Sequence, residues 1–249
     1  MESVELFHLV VLDLLGRKVE KKLYALKGGC NLRFFFKSIR YSQDMDLDAS
    51  TALSKDKLQV VMSRLLESKT IEQILEVRGI KIQEKSSPKQ TDTTQSWKFA
   101  LKVPRSSIPL RTKIEFSRKG MKSGLAFDSL DANLIRRYEL TPILASHYQR
   151  EDAYVQKVIA LATRKQIQER DVFDLYLLLT SGVDTSVVFD KAAKYIQKAK
   201  DNIWAVSYDM FKSQVVSYLH PEYQAQYSSS DLWDSIILAL DNALGGSDR

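Results

Sequence analysis

A single cysteine, Cys30, stands in the 249 residues. That excludes an intramolecular disulfide framework and any zinc site built from several thiolates. The three histidines, His8, His147 and His220, are far apart in the chain and show no metal-ligand spacing. Five prolines and nine glycines are too few for a disordered or collagen-like chain. The strongly apolar runs, such as Leu175-Tyr176-Leu177-Leu178-Leu179, fall far short of the ~18 residues that suggest a transmembrane helix. The opening residues, Met1-Glu2-Ser3-Val4-Glu5, are acidic, which does not suit a signal peptide. No internal repeat is visible. These absences point to a soluble, cytoplasmic protein of a reducing compartment, with no membrane partner.

Apolar residues make up 44% of the chain, enough for a sizeable core in one large domain or two small ones. Lysine and arginine total 37 against 31 aspartates and glutamates, a net charge of +6. That excess is modest and merely favours an anionic partner. Its distribution says more. Between Lys98 and Lys119 lie seven basic residues (Lys98, Lys102, Arg105, Arg111, Lys113, Arg118, Lys119) and one acid, Glu115.

Periodicity divides the chain. Val4, Phe7, Val10, Val11 and Leu14 have helical spacing, as do Leu58, Val61, Met62, Leu65 and Leu66. Residues 22 to 27 read as a short strand running into Gly28-Gly29, and Asn31 to Lys37 as a short helix. Alternation predicts strands near 43–49, 78–85, 97–103 and 110–116. Residues 86 to 95, rich in Ser, Thr and Gln around Pro88, read as a loop. From about 128 the pattern becomes helical, with helices expected over 152–164, 170–181, 186–199, 204–218 and 229–244. The expected class is α+β: a mixed sheet flanked by helices over 1–140, then a helical domain over 141–249.

The segment Asp44-Met45-Asp46-Leu47-Asp48 is the most unusual. In a strand its three carboxylates share one face, neighbours roughly 6.5 Å apart, with Met45 and Leu47 turned to a core. Aspartate is disfavoured in strands, and like charges repel. A divalent cation turns that repulsion into coordination, and magnesium takes carboxylates together with substrate phosphates. A solvated edge strand is the plainer account. Upstream, Gly28-Gly29 joins a strand to a helix, where backbone amides can approach phosphate. A turn that needs a positive φ is the plainer account there. Together the two segments set phosphate donors and carboxylates at one end of adjacent strands.

Lys27-Gly28-Gly29-Cys30-Asn31-Leu32-Arg33, followed by Arg40-Tyr41-Ser42-Gln43-Asp44-Met45-Asp46, resembles the first motif of polymerase-β-type nucleotidyltransferases. More narrowly it is similar to the AbiEii/AbiGii toxin-type nucleotidyltransferases of bacterial toxin–antitoxin and phage-defence systems. Their motif commonly has threonine where Cys30 stands. Lys157-Val158-Ile159-Ala160-Leu161-Ala162-Thr163-Arg164 resembles the family's Lys-x-x-Ala-Leu-x-x-Arg motif. Arg170-Asp171-Val172-Phe173-Asp174-Leu175 resembles its Arg-Asp-x-x-Asp-Leu motif.

The resemblance implies a nucleotidyltransferase fold with a helical domain contributing to the active site. It implies Asp44, Asp46 and a third acid, best matched by Glu115, as ligands of Mg2+ in a two-metal arrangement. Gly28, Gly29 and Ser42 would line the triphosphate of an NTP, with Lys157 and Arg164 on its phosphates and Asp171 at the active site. Plainer accounts remain beside these: Glu115 in a cross-strand ion pair with a lysine, Lys157 snorkelling, and Asp171 as a helix N-cap with Asp174 as support. The implied activity is transfer of an NMP to an acceptor hydroxyl, the tRNA 3′ end being the family's acceptor, by a toxin with a cognate antitoxin. Transfer to a protein or small molecule, or a non-catalytic nucleotide-binding module, are the alternatives. Core or surface packing suits Tyr218, Tyr223, Tyr227 and Trp233 better than base stacking, and Phe34-Phe35-Phe36 reads as core.

Overall fold

The computed structural model describes residues 1–104 and 106–245, so Arg105 of the basic run lies outside the described residues. The chain forms two compact units. One comprises Met1–Phe35 and Tyr41–Tyr148, the other Phe36–Arg40 and Gln149–Arg249.

The first unit is built on a mixed sheet of seven strands. Helix α1 (Glu2–Gly16) and a short 3-10 turn precede β1 (Tyr24–Lys27), α2 (Gly28–Phe35), β2 (Met45–Ala49), α3 (Lys55–Leu66) and α4 (Lys69–Val77). Then come β3 (Lys81–Gln90), β4 (Thr94–Lys102), β5 (Leu110–Ser117), β6 (Leu125–Ser129), α5 (Ala132–Arg137) and β7 (Leu144–Tyr148). The order across the sheet is β3-β4-β5-β2-β1-β7-β6. Strand β2 is therefore central, antiparallel to β1 and parallel to β5.

Alternation explains why β2 can sit there. Met45, Leu47 and Ala49 are fully buried on one face, with Ile114 and Phe116 of β5 and Trp97 and Phe99 of β4. Helix α1 packs its apolar stripe on that face: the Phe7 and Phe99 rings meet edge to face at 4.9 Å. The opposite face of β2 carries the aspartates. Helices α3 and α4 start where Ser54 and Ser68 accept hydrogen bonds from the backbone N–H groups of Lys57 and Ile71.

Two expectations are corrected in this unit. Residues 86 to 90 are not loop but the second half of β3, which runs through Pro88. The strand lies at the sheet edge, where a missing N–H costs no ladder bond, and its register shifts between Ser86 and Lys89. The helical stretch expected from 128 is interrupted by β7. The division between the units accordingly falls after Tyr148.

The helical unit contains α6 (Arg150–Thr163), α7 (Glu169–Thr180), α8 (Val187–Trp204), α9 (Tyr208–Gln214), α10 (Pro221–Gln224) and α11 (Ser230–Gly245). The helix expected over 204–218 is broken. Its ordered part begins at Tyr208, where Ser207 accepts from the Met210 N–H, and a 3-10 turn covers Val216–Tyr218. Phe173, Phe211, Tyr227 and Trp233 form the aromatic centre, with Phe211 and Trp233 stacked at 4.2 Å. Tyr227 and Trp233 are thus packing residues, buried in this cluster. Of the three consecutive phenylalanines only Phe34 is fully buried. Residues 36–40 join the helical unit through a bridge between Arg40 and Leu219 and a hydrogen bond from the His220 N–H to the Ile39 carbonyl.

Candidate active site

The sheet register brings the expected acids together. Asp46 is paired with Lys27 of β1 on one side and with Glu115 of β5 on the other. Asp46 and Glu115 therefore share a face as direct neighbours on parallel strands. Asp44, just before β2, comes to the same place: Lys113 Nζ lies 3.1 Å from Glu115 Oε2 and 3.9 Å from Asp44 Oδ2. These three side chains are each about a quarter to a third exposed, at 26%, 34% and 29% for Lys113, Asp44 and Glu115. Burial works against the Lys113 ammonium, but Asp46, Glu115 and Asp44 outweigh it and hold its pKa above the usual lysine value. The lysine that engages Glu115 is on the same strand, two residues away, rather than across a strand pair.

Asp48 has a different task. Its Oδ1 accepts from Lys27 Nζ at 2.5 Å and its Oδ2 from the Tyr148 hydroxyl at 2.6 Å. It is 6% exposed, and its carboxylate braces β2 against β1 and β7.

The glycine turn stands against the central acid. Gly28 opens α2 with φ +63, and a Cβ built there would meet Asp46 Oδ2 at 3.3 Å. Both the conformation and the approach select glycine. Gly29 follows in the first turn of α2. Gly28→Ala is expected to lower stability by about 1–2 kcal/mol from the left-handed conformation alone. It should also reduce transfer at least about tenfold by shifting the Asp46 carboxylate. Thermal denaturation and initial rates on one preparation check both effects.

A partly buried chain of hydrogen bonds holds the approach to β2. Ser42 Oγ donates to the Asp44 carbonyl at 2.7 Å, and Cys30 Sγ reaches the same oxygen at 3.3 Å. Thr112 Oγ1 donates to the Gln43 carbonyl at 2.8 Å. Because its one proton is used there, Thr112 accepts from His8 Nε2 at 2.7 Å. That assigns the His8 tautomer and leaves Nδ1 as an acceptor 3.7 Å from Cys30 Sγ. His8 stands beside Cys30 although 22 residues separate them in the chain, and its one signal in the sequence is its place in the apolar stripe of α1. The pair is not a catalytic dyad. Burial pushes His8 down to about 3 and the Cys30 thiol up, so an uncharged imidazole faces an un-ionised thiol.

The donor set suits a hard cation. It consists of carboxylate oxygens, and an ammonium already rests among them. Among the described residues no three acids, histidines or cysteines converge as a complete metal cage. Magnesium does not require one, since it is usually held by one or two carboxylates plus phosphates and water. The residues present fit the ion on that basis.

Beside the acids, the face of β3–β4–β5 forms an open groove of about 470 Å3. Pro88, Lys89, Ser96, Lys98, Arg111 and Lys113 line it, and it reaches Asp44 and Glu115. Register explains the row of bases: Lys98 is paired with Lys113, and Ser96 with Glu115 and Lys89.

Residues 11–235 match the family described as nucleotidyl transferase AbiEii toxin, type IV TA system. The chain belongs to that family. It is an AbiEii-type nucleotidyltransferase, and its fold is similar to two crystal structures from Helicobacter pylori. One is JHP933, at 16% identity and a TM-score of 0.57, covering 97% of this chain and 89% of that one. The other is described as a candidate nucleotidyltransferase, at 15% identity and a TM-score of 0.58, covering 98% and 94%. No curated protein matches the chain. No described helix is long and apolar enough to cross a membrane.

In the helical unit of this AbiEii-family chain, the second and third motif segments meet in one buried ion cluster. Lys157 Nζ donates to Asp171 Oδ1 at 2.7 Å and to Asp174 Oδ2 at 2.6 Å. Arg40 clamps Asp174 through Nε at 2.9 Å and Nη2 at 2.8 Å. Arg164 Nε approaches Asp171 Oδ2 at 3.0 Å, though without the angle of a hydrogen bond. Both aspartates are fully buried and Lys157 is 8% exposed, while the Arg164 side chain is 41% exposed. Asp171 is not the N-cap, which is Gln168; it lies inside the first turn of α7. Lys157 does not snorkel, because its ammonium ends on buried acids.

Proposed function

We propose that this AbiEii-family nucleotidyltransferase moves a nucleoside monophosphate from an NTP to the terminal hydroxyl of an RNA, with tRNA as the acceptor and Mg2+ as the cofactor. The observation that supports an RNA acceptor most is the groove of Lys89, Lys98, Arg111 and Lys113 leading to Asp44 and Glu115. A row of bases beside paired acids suits a polyanion whose end must reach the acids. In this reading Asp44, Asp46 and Glu115 would hold the cation, which supplies charge neutralisation for the triphosphate when bound. Gly28 and Gly29 let the backbone come close to that triphosphate, and Ser42 shapes the turn that presents Asp44. The acceptor oxygen, its proton passing to a carboxylate of this set, forms a bond to the α-phosphorus. The bond from that phosphorus to the β-bridging oxygen breaks, and pyrophosphate leaves. Most of the acceleration then comes from positioning and charge.

By the family motif, Lys157, Arg164 and Asp171 would act on the nucleotide. The toxin role and a cognate antitoxin also belong to the proposal, from the family's description.

The test is incubation with each labelled NTP, Mg2+ and either total tRNA or a protein extract, with Asp46→Ala as control. Label in tRNA that disappears in the variant supports the proposal. Label in protein replaces the acceptor, and NTP binding without transfer to any acceptor leaves a regulatory module. The groove has its own test. Lys98→Ala with Arg111→Ala is expected to weaken RNA binding and flatten the log–log salt dependence by about 0.7 per lost phosphate contact. The KM for NTP should stay unchanged.

A further inference from the structure

Lys113 belongs to both halves of the site. It lines the basic groove, yet its ammonium is turned along β5 onto Glu115 and Asp44. Its cross-strand neighbour Lys98 stays in the groove, exposed, and enters no ion pair among the described residues. The acids that contact Lys113 are the ones read above as cation ligands, so the inference rests on that reading.

We propose that the Lys113 ammonium and a divalent cation are alternative partners of Glu115 and Asp44. When the cation takes these carboxylates, Lys113 is released into the groove, where it meets a phosphate of the substrate. A divalent cation on these oxygens places a like charge beside the ammonium in a partly desolvated site, and that repulsion weakens the hold of Glu115 and Asp44 on Lys113. The stem of a lysine has the rotatable bonds to move between the two positions, and the groove begins within its reach. Lys113 would then be a positioning residue that couples filling of the acidic site to recognition of an anion. It also keeps three neighbouring carboxylates from repelling one another until the cation arrives.

The probe is Mn2+ alone, its binding to the whole protein followed by the electron paramagnetic resonance signal of the free ion. Lys113→Met is expected to bind Mn2+ about three- to tenfold tighter than the parent protein. Lys113→Arg, which keeps the charge, should bind no tighter than the parent. Lys98→Met, which removes a charge from the same face without touching the acids, should stay within about twofold. A second readout follows the lysine ε-carbons by NMR. The resonance missing from Lys113→Met should shift on addition of Mg2+, and the one missing from Lys98→Met should not. Unchanged or weaker Mn2+ binding in Lys113→Met overturns the inference, provided Asp46→Asn binds Mn2+ more weakly than the parent. If Asp46→Asn binds Mn2+ as well as the parent, the cation reading itself fails and the inference falls with it.

Discussion

Asp46→Asn is expected to abolish nucleotidyl transfer, by on the order of 10^3-fold or more, and to leave the fold standing. The expectation comes from what Asp46 does and does not hold. It sits at the centre of the sheet between Lys27 and Glu115, directly opposite the left-handed turn at Gly28. Its carboxylate makes no hydrogen bond among the described residues, so asparagine leaves no buried partner unsatisfied. Removing one of several like charges also relieves repulsion. The melting temperature should therefore stay level or rise while turnover disappears. Asp48→Asn supplies the contrast on the same strand. It loses the Lys27 ion pair and keeps an acceptor for the Tyr148 hydroxyl. Stability should fall by about 1–2 kcal/mol, and most of the transfer should remain. Circular dichroism melts and transfer assays on the two variants separate a chemical acid from a bracing one two residues away. Comparable loss of transfer in both variants would overturn the assignment.

That contrast marks where local pattern stops being informative. The alternation Asp44-Met45-Asp46-Leu47-Asp48 predicts one acidic and one apolar face, and β2 has both. Nothing local distinguishes Asp48 from its neighbours, because the difference is made by Tyr148, 100 residues later on β7. The same limit hides His8, whose partners Thr112 and Cys30 depend on α1 packing across β5 and α2. It also hides β3 beyond Pro88, since being an edge strand is a property of sheet order. Family motifs reach further, placing Gly28, Asp44 and Asp46 in one site and Lys157 with Asp171. They do not disclose that Arg40, in the first motif's own Arg-x-Ser segment, closes on Asp174 of the last one.

Asp174→Ala should be the most damaging substitution for the helical unit, costing about 3–5 kcal/mol. The cluster holds three cations, Arg40, Lys157 and Arg164, against two buried acids. Alanine leaves Arg40 and Lys157, 6% and 8% exposed, with only Asp171 among the cluster's acids. Lys157→Met is milder, at about 1–3 kcal/mol, because each acid then keeps one guanidinium and the methionine fills the lysine stem's place. The order of the two melting temperatures tests this count of charges. Acid supplies an independent check. Burial pushes the Asp174 carboxyl up, but Arg40 and Lys157 pull it further down, to about 2, below the ~3.9 of an unfolded chain. Its contribution is therefore fully present above about pH 4 and lost as pH falls through about 2. His8 adds a second, earlier loss. Held neutral with a pKa of about 3, it gives up stability as the unfolded chain's imidazole takes a proton below about pH 6.5. Denaturant titrations from pH 7 to pH 2 should show the parent declining in two stages, with the later stage absent in Asp174→Asn. Assayed well below both melting temperatures, Lys157→Met then reports its nucleotide role by itself. A raised KM for NTP in fully folded protein supports the family assignment, whereas unchanged kinetics would confine this lysine to holding α6 against α7.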